Sequence, residues 1–167
     1  SYSLDGTSTK LSSTKTYTVK AEQSNISLYD GKTRLITDDT ITITPENGQN
    51  RTVINDREYY GSFNFIVENG YVRPINKIYL EDYLKSVVPV EMYASWNKEA
   101  LKVQAVAART YAYFRLGKVI NDTTSYQVYG GASELHPNST AAVEETGGEI
   151  ILYNGRPIDA LFSASNG

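Results

Sequence analysis

The pattern of apolar residues changes its period near residue 79, and this change constrains the fold more than any other feature of the sequence. Before it, segments such as 16–20 and 40–44 alternate polar with β-branched or aromatic residues, which is typical of strands with one buried face. After it, apolar residues over 80–87 follow helical spacing, and an alanine-rich run over 99–112 predicts a second, central helix. The sequence therefore predicts an α+β fold, with a helical core, a flanking antiparallel β unit and a C-terminal β-hairpin.

The chain divides into three stretches by composition. Residues 1–14 are rich in Ser and Thr and poor in apolar residues, which predicts a flexible leader. Residues 15–76 carry turn signals at Asp30-Gly31 and Asn69-Gly70 and are predicted to form the β unit. Residues 77–167 are predicted to form the helical core and the C-terminal hairpin. The chain has no initiator methionine, so we expect it to be part of a longer protein.

Local signals set the expected helix boundaries. Pro89 is predicted to end the first helix, because proline disfavours the helical conformation of the residue before it. Asn97 is a good N-cap for the second helix. A short third helix is expected over 138–146, with Asn138 or Ser139 as its cap.

Composition excludes several classes of site. The 167 residues include no cysteine and one histidine, so disulfides, thiolate zinc sites and histidine-rich metal sites are ruled out. The net charge of -3 argues against a nucleic-acid-binding protein, which usually presents a basic face. No apolar run approaches the length of a membrane span, which is about 20 residues. We therefore expect neither a metal nor a cofactor.

Glu91 is the candidate acid. It lies in an apolar run between the first two predicted helices, with Trp96 five residues later. Carboxylic acids in apolar surroundings hold their proton to higher pH, as a general acid near neutral pH must. The alternative is a capping or ion-paired glutamate at a helix junction, and position alone favours that alternative.

Two cations on the predicted central helix also need partners. Lys102 and Arg109 are seven residues apart and project from nearly the same helix face. They are equally consistent with structural pairing to acidic neighbours such as Glu81 or Asp82, and with a cleft that holds a polar or acidic ligand. His136, which precedes a proline, is interpreted as a loop residue.

Four ordered sequence motifs identify a resemblance. The first two are the runs 79–92 and 99–111. The third combines Asp122-Thr123 with residues 127–131, and the fourth combines residues 142–148 with the closing run 163–167. Together they resemble the bacterial stage II sporulation protein D (SpoIID) and amidase-enhancer family, and the resemblance covers residues 55 to 167.

This resemblance implies a peptidoglycan lytic transglycosylase that acts during sporulation and engulfment. Such an enzyme cuts the bond between N-acetylmuramic acid and N-acetylglucosamine, preferably in strands without stem peptides. The resemblance makes Glu91 the catalytic acid. It implies a substrate-binding set of Lys102, Arg109, Gln127, Tyr129, Ser163 and Ser165.

The same resemblance leaves other roles open. The chief alternative is a non-catalytic peptidoglycan-binding enhancer of a cell-wall amidase, and a weaker one is a scaffold of the engulfment machinery. The implied partners are glycan strands, together with other cell-wall hydrolases or engulfment proteins. The implied location is extracytoplasmic, at the cell wall or between the forespore and mother-cell membranes, and a membrane anchor is expected only in the parent protein. The chain stops inside a family motif, so we expect part of the substrate cleft to be missing.

Overall fold

The computed structural model describes residues 1–120 and 129–162, and at residues 133 and 134 it describes the backbone alone. The predicted α+β class is confirmed, since antiparallel strands precede a set of helices. The strands are β1 (Tyr2–Leu4), β2 (Lys10–Leu11), β3 (Thr18–Glu22), β4 (Asn25–Asp30), β5 (Thr33–Asp38), β6 (Ile41–Pro45), β7 (Thr52–Ile54), β8 (Arg57–Tyr59), β9 (Ser62–Glu68), β10 (Tyr71–Lys77), β11 (Leu152–Tyr153) and β12 (Arg156–Pro157). The helices are α1 (Leu80–Glu91), α2 (Lys98–Phe114) and α3 (Pro137–Glu145), with a 3-10 turn over Gly131–Glu134.

The chain forms two compact units. The first consists of Ser1–Thr52 and Tyr60–Ile78, and the second of Val53–Tyr59 and Tyr79–Gly167. The hairpin β7–β8 therefore belongs mainly to the helical unit, and its predicted place in the β unit of residues 15–76 is wrong. Its two turn residues, Asn55 and Asp56, both adopt positive φ (46° and 69°), the backbone of a tight hairpin turn.

The first unit holds two antiparallel sheets. The larger has the strand order β10-β9-β6-β1-β2, and the smaller has the order β3-β4-β5. Strands β9 and β10 form the hairpin predicted around Asn69-Gly70, with Glu68 opposite Tyr71. The buried apolar side chains of this unit come from both sheets: Leu4, Leu11, Ile26, Leu28, Ile41, Phe63 and Phe65.

The prediction of a flexible leader over residues 1–14 is wrong. Strand β1 pairs with β6 through Leu4 and Ile43, and β2 pairs with β1 through Leu11 and Tyr2. Leu4 and Leu11 are both buried. Two apolar side chains are enough to anchor the segment to the sheet, and the surrounding Ser and Thr residues hide that signal in the sequence.

Helix packing forms the core of the second unit. Its buried side chains come from all three helices: Leu84, Val87, Val88, Leu101, Ala105, Ala108, Ala142 and Val143. The predicted apolar stripe on the alanine-rich helix is confirmed. Because alanine is small, α1 and α3 can approach α2 closely along this stripe.

Two helix boundaries differ from the prediction. Helix α1 passes through Pro89 and ends at Glu91, and the Met92 N–H donates to the Val88 carbonyl at 3.0 Å to close the last turn. Proline so near a helix end removes a single hydrogen bond, so the helix survives it. Helix α3 begins at Pro137, and its cap is His136 rather than Asn138 or Ser139, because the His136 Nδ1 accepts from the Asn138 N–H at 3.1 Å.

Two further local predictions are confirmed. Asn97 caps α2, and its Oδ1 accepts from the Glu99 N–H at 2.8 Å. The C-terminal hairpin turns at Asn154-Gly155, where both residues have positive φ. Its strands β11 and β12 are only two residues long.

Candidate active site

Glu91 is the last residue of α1, and its side chain is half-buried. The next residue, Met92, leaves the helix with an extended backbone at φ −138° and ψ 144°. The carboxylate is therefore carried by a closed helical turn and lies at the point where the chain changes direction. A group in that position is held by the helix yet can be reached from solvent.

A cluster of tyrosine rings lies in the same unit. The ring centroid of Tyr83 is 5.2 Å from that of Tyr129, which in turn is 5.9 Å from Tyr59. Both pairs are tilted, an arrangement that favours aromatic contact. Tyr129 is half-buried and packs against the helical core.

The environment keeps these phenols protonated. Burial raises the pKa of Tyr83 most, and neighbouring Tyr111 and the Glu91 carboxylate raise it further. Burial likewise raises the pKa of Tyr129, with smaller contributions from Tyr59, Tyr83 and Asp82. The electrostatic effect of Glu91 on Tyr83 indicates that the acid and the tyrosine cluster share one region of the second unit.

Gly131 allows the hairpin β7–β8 to reach this cluster. Its φ is +72°, and a Cβ at this position would lie 2.4 Å from the Glu58 carbonyl oxygen and 3.0 Å from the Tyr59 ring. Only glycine tolerates both the backbone conformation and the close approach. Gly131, two positions after Tyr129, thus has a packing role.

Arg109 lies in the core of the second unit, with 1% of its surface exposed. Its Nε and Nη2 donate to the Glu81 carboxylate at 2.8 and 3.0 Å. Nη1 donates to the Glu149 carbonyl at 3.1 Å and Nη2 to the Val143 carbonyl at 3.0 Å, while Thr146 Oγ1 lies 3.3 Å from Nη1. All five N–H donors are thereby engaged, so direct binding of a glycan by Arg109 does not fit this geometry.

Lys102 is also paired, but nearer the surface. Its Nζ lies 2.9 Å from Glu145 Oε2 and 3.4 Å from Glu99 Oε1. The hydrogen bond to Glu145 raises the pKa of Lys102, because the carboxylate stabilises the charged ammonium. Lys102 and Arg109 share the helix face that meets the end of α3, as their spacing predicts. Their partners include Glu81 but also residues that sequence spacing could not indicate.

The remaining predicted residues lie outside the described part of the chain. Gln127 falls within 121–128, and Ser163 and Ser165 fall within 163–167. Their proposed contact with substrate stays a prediction.

Sequence reasoning missed several residues of this region. Tyr83 and Tyr59 could not be singled out, because the chain has 14 tyrosines. Gln104 is a further candidate: among the described side chains, its Nε2 and the Ser86 Oγ are buried without a hydrogen-bond partner. A buried amide donor that lacks an acceptor is a place where a ligand can gain a hydrogen bond. The sequence signal for Gln104 is a polar residue on an otherwise apolar helix, seven positions before Tyr111 and therefore on nearly the same helix face.

Across residues 1–120 and 129–162, no three His, Cys, Asp or Glu side chains are grouped so that they could hold a metal ion. None of the helices in these ranges has the length and apolar character needed to cross a bilayer. A shallow concavity borders the C-terminal hairpin, but its lining holds no carboxylate: Tyr153, Asn154, Arg156, Pro157 and Ile158.

Comparison with known proteins gives a consistent set of relatives. The family described as Stage II sporulation protein (SpoIID) matches residues 68–153, just over half of the chain. The amidase enhancer of Bacillus subtilis strain 168 is 44% identical over 156 residues, which cover 91% of this chain and 22% of that protein. Stage II sporulation protein D of the same strain is 37% identical over 115 residues, which cover 56% of this chain and 34% of that protein.

A third relative is an uncharacterized protein of Brachyspira hyodysenteriae, 43% identical over 123 residues that cover 70% of this chain and 33% of that protein. The chain thus spans between about a fifth and a third of the length of these relatives. No solved structure matches it.

Proposed function

Because this chain belongs to the stage II sporulation protein D family, we propose that it cleaves peptidoglycan glycan strands as a lytic transglycosylase. Membership of the family supports a role in sporulation or at the cell wall. The proposal of lytic transglycosylase activity rests on the position of Glu91, a half-buried residue at the end of α1 within the first family motif. The bond cleaved is the one between N-acetylmuramic acid and N-acetylglucosamine.

The proposed chemistry needs one carboxylic acid. Ordinary glycosidases use two carboxylates that flank the bond, because one of them activates water or attacks the sugar. Here protonated Glu91 donates its proton to the leaving glycosidic oxygen. The resulting carboxylate then takes the proton of the muramic acid 6-hydroxyl, whose oxygen attacks the anomeric carbon. The product is a 1,6-anhydro ring, and Glu91 regains its proton.

Some residues of the second unit receive different roles from those implied by resemblance. Arg109 is proposed as a positioning residue, since its buried contacts join α1, α2 and α3. Lys102 is proposed to act in the same way through Glu145. Tyr129 remains the proposed stacking face for a sugar, and Tyr83 is added as a neutral phenol near the acid.

A second candidate function has its own support. The relative that covers 91% of this chain is named an amidase enhancer. On that alternative, the chain binds peptidoglycan and promotes the action of a separate amidase without cleaving glycans itself. Glu91 would then have a structural or binding role.

The test is a digest of purified, peptide-free glycan strands, analysed by mass spectrometry. We expect products that end in 1,6-anhydromuramic acid with the unmodified chain, and none with Glu91→Gln. Glu144→Gln is the matched control, because Glu144 is an exposed glutamate of α3 whose partner is Lys85. Hydrated reducing ends would indicate a hydrolase and reject the single-acid mechanism.

The same preparation separates the two candidate functions. If the chain binds the strands but leaves them intact, a purified cell-wall amidase is added and its rate is measured with and without the chain. A faster amidase reaction would favour the enhancer over the enzyme.

A further inference from the structure

Two large aromatic side chains lie exposed immediately after Glu91. Tyr93 is 75% exposed and Trp96 is 44% exposed. Single exposed aromatic residues are common on proteins, but here two occur within one four-residue turn. Their ring centroids are 6.2 Å apart and the rings are tilted by 52°, so the two exposed side chains form one aromatic pair.

The backbone that carries the two rings is held from several sides. The Trp96 N–H donates to the Tyr93 carbonyl at 3.0 Å, which closes a turn. The Asn138 side chain, in the first turn of α3, donates to the Ala94 carbonyl at 3.1 Å. Asn97 then begins α2 as its cap. An aromatic pair fixed in this way loses little conformational entropy when a ligand binds, so it is suited to recognition.

The chemistry of the turn indicates a neutral, partly apolar ligand. Residues 92–97 contain no charged side chain. The phenol and the indole N–H provide polar atoms at the ring edges, while the ring faces are apolar. A pyranose ring has the complementary character, with C–H groups on its faces and hydroxyl groups around its rim.

The turn is also close to the candidate acid along the chain. Tyr93 is two positions after Glu91, and a fully extended chain covers at most about 7 Å over that distance. A sugar on Tyr93 would therefore be near the sugars whose bond Glu91 cleaves.

We propose that Tyr93 and Trp96 form a stacking platform for an N-acetylglucosamine residue of the glycan strand. The platform selects the neutral sugar, because the turn offers no cation to the acidic lactyl group of N-acetylmuramic acid. This inference rests on the proposed function in that it places the platform beside the bond cleaved at Glu91.

Trp96 is the one tryptophan of the sequence, so intrinsic tryptophan fluorescence reports on this turn alone. The probes are a hexamer of N-acetylglucosamine and peptide-free glycan strands, each titrated into the Glu91→Gln chain to prevent cleavage. Both probes are expected to change the emission of Trp96 and to protect it from acrylamide quenching. If calorimetry shows that the glycan binds but the emission of Trp96 does not change, the platform is overturned.

Substitutions separate aromatic stacking from simple apolar contact. Tyr93→Leu keeps apolar surface but removes the aromatic face, and it is expected to weaken hexamer binding about fivefold or more. Tyr93→Phe is expected to bind within about twofold of the parent chain. Tyr71→Leu is the matched control, because Tyr71 is 78% exposed in the first unit and should have no effect. Equal binding by Tyr93→Leu and Tyr93→Phe would overturn the stacking argument.

Cleavage assays distinguish failure of the platform from failure of the proposed function. If both hold, Tyr93→Leu raises KM for glycan strands and leaves kcat nearly unchanged. Cleavage by the parent chain with no effect of Tyr93→Leu on KM would reject the platform alone. Glycan-dependent Trp96 fluorescence without cleavage would reject the enzyme and retain the platform.

Discussion

Arg109 donates two hydrogen bonds to the Glu81 carboxylate, from Nε to Oε1 at 2.8 Å and from Nη2 to Oε2 at 3.0 Å. The pair joins the middle of α2 to the first turn of α1, the helix whose other end carries Glu91. The guanidinium is buried, while the Glu81 side chain is 44% exposed. The orientation of the acid-bearing helix therefore depends on an ion pair at the opposite end of that helix.

Removal of Arg109 should reduce stability strongly. Arg109→Met is expected to lower the free energy of unfolding by about 3–5 kcal/mol, because it breaks a buried ion pair and leaves carbonyl acceptors unpaired. Glu81→Gln should cost about 1.5–3 kcal/mol, because the amide keeps one acceptor for the buried guanidinium but removes its counter-charge. Urea denaturation measures both. Arg73→Met, which removes the exposed pair with Glu68, should cost at most about 1 kcal/mol.

The outcome also decides the role of Arg109. A positioning role predicts that Glu81→Gln impairs glycan cleavage in parallel with the Arg109 variant, even though Glu81 need not touch substrate. If Arg109→Met folded as stably as the parent chain but lost glycan binding, Arg109 would be a ligand and our assignment would be rejected.

Glu145 should make the second unit sensitive to acid. Its carboxylate lies 2.5 Å from the Lys98 Nζ and 2.9 Å from the Lys102 Nζ. These hydrogen bonds, first from Lys98 and then from Lys102, hold the pKa of Glu145 below the ordinary value of 4.5. The folded carboxylate thus binds its proton less tightly than the unfolded one, so its contribution to stability is present above pH 4.5 and is lost as the pH falls through the folded pKa.

Glu145→Gln tests this expectation. The variant should be less stable than the parent chain at neutral pH, and the difference should shrink as the solution is acidified. Urea denaturation at a series of pH values measures the difference, and Lys98→Met should reduce it as well. A difference that stayed constant across the acid range would show that packing, not charge, accounts for the effect.

The tyrosine cluster should make the chain sensitive to alkali. Burial raises the pKa of both Tyr83 and Tyr129 above the ordinary value of 10.0. Above that pH the unfolded chain releases protons that the folded chain retains, so the stability due to these groups is present below pH 10.0 and is lost as the pH rises. Replacement of both residues by phenylalanine should flatten the fall in stability above pH 10.0.

Ultraviolet absorbance of tyrosinate provides the direct check. Tyr83 and Tyr129 should titrate only together with unfolding, because burial raises the pKa of both. Titration of these two phenols near the ordinary pKa of 10.0, with the fold intact, would contradict the burial argument.

Gly131 should tolerate substitution less well than another glycine of similar conformation. Gly131→Ala and Gly148→Ala both place alanine at positive φ (72° and 76°), which costs about 1–2 kcal/mol in each case. At Gly148 a Cβ meets nothing within 4 Å, whereas at Gly131 it meets the Glu58 carbonyl oxygen at 2.4 Å. We expect Gly131→Ala to cost a further 1–3 kcal/mol or so in thermal or urea denaturation. Equal losses would mean that the hairpin moves away without cost.

The sequence predicted the type and order of the main elements, because periodicity and turn chemistry are local. The hairpin at Asn69-Gly70, the cap at Asn97 and the apolar stripe of α2 all follow from residues close together in the chain. The prediction of a flexible leader fails because only Leu4 and Leu11 indicate that residues 1–14 belong to a sheet. The prediction that Pro89 ends α1 fails because tertiary packing supports the helix beyond the point where proline weakens it.

Much less of the candidate site could be predicted. The motif indicated Glu91, but the partners of Arg109 lie 28 residues away at Glu81 and 40 residues away at Glu149. Spacing within one helix indicates a shared face and says nothing about what faces it. Only the packed chain distinguishes a cation that can bind substrate from one whose donors are already used.

The hairpin over Val53–Tyr59 has a consequence for how this protein can change by recombination. It belongs to the helical unit but precedes β9 and β10, so the gene segments for the two units interleave. A single crossover near residue 79 would combine Gly131 from one parent protein with Glu58 and Tyr59 from the other. These residues pack so closely that their shapes must match. Chimeras between relatives should therefore succeed when they exchange the hairpin together with the helices, and single-junction exchanges should be disfavoured.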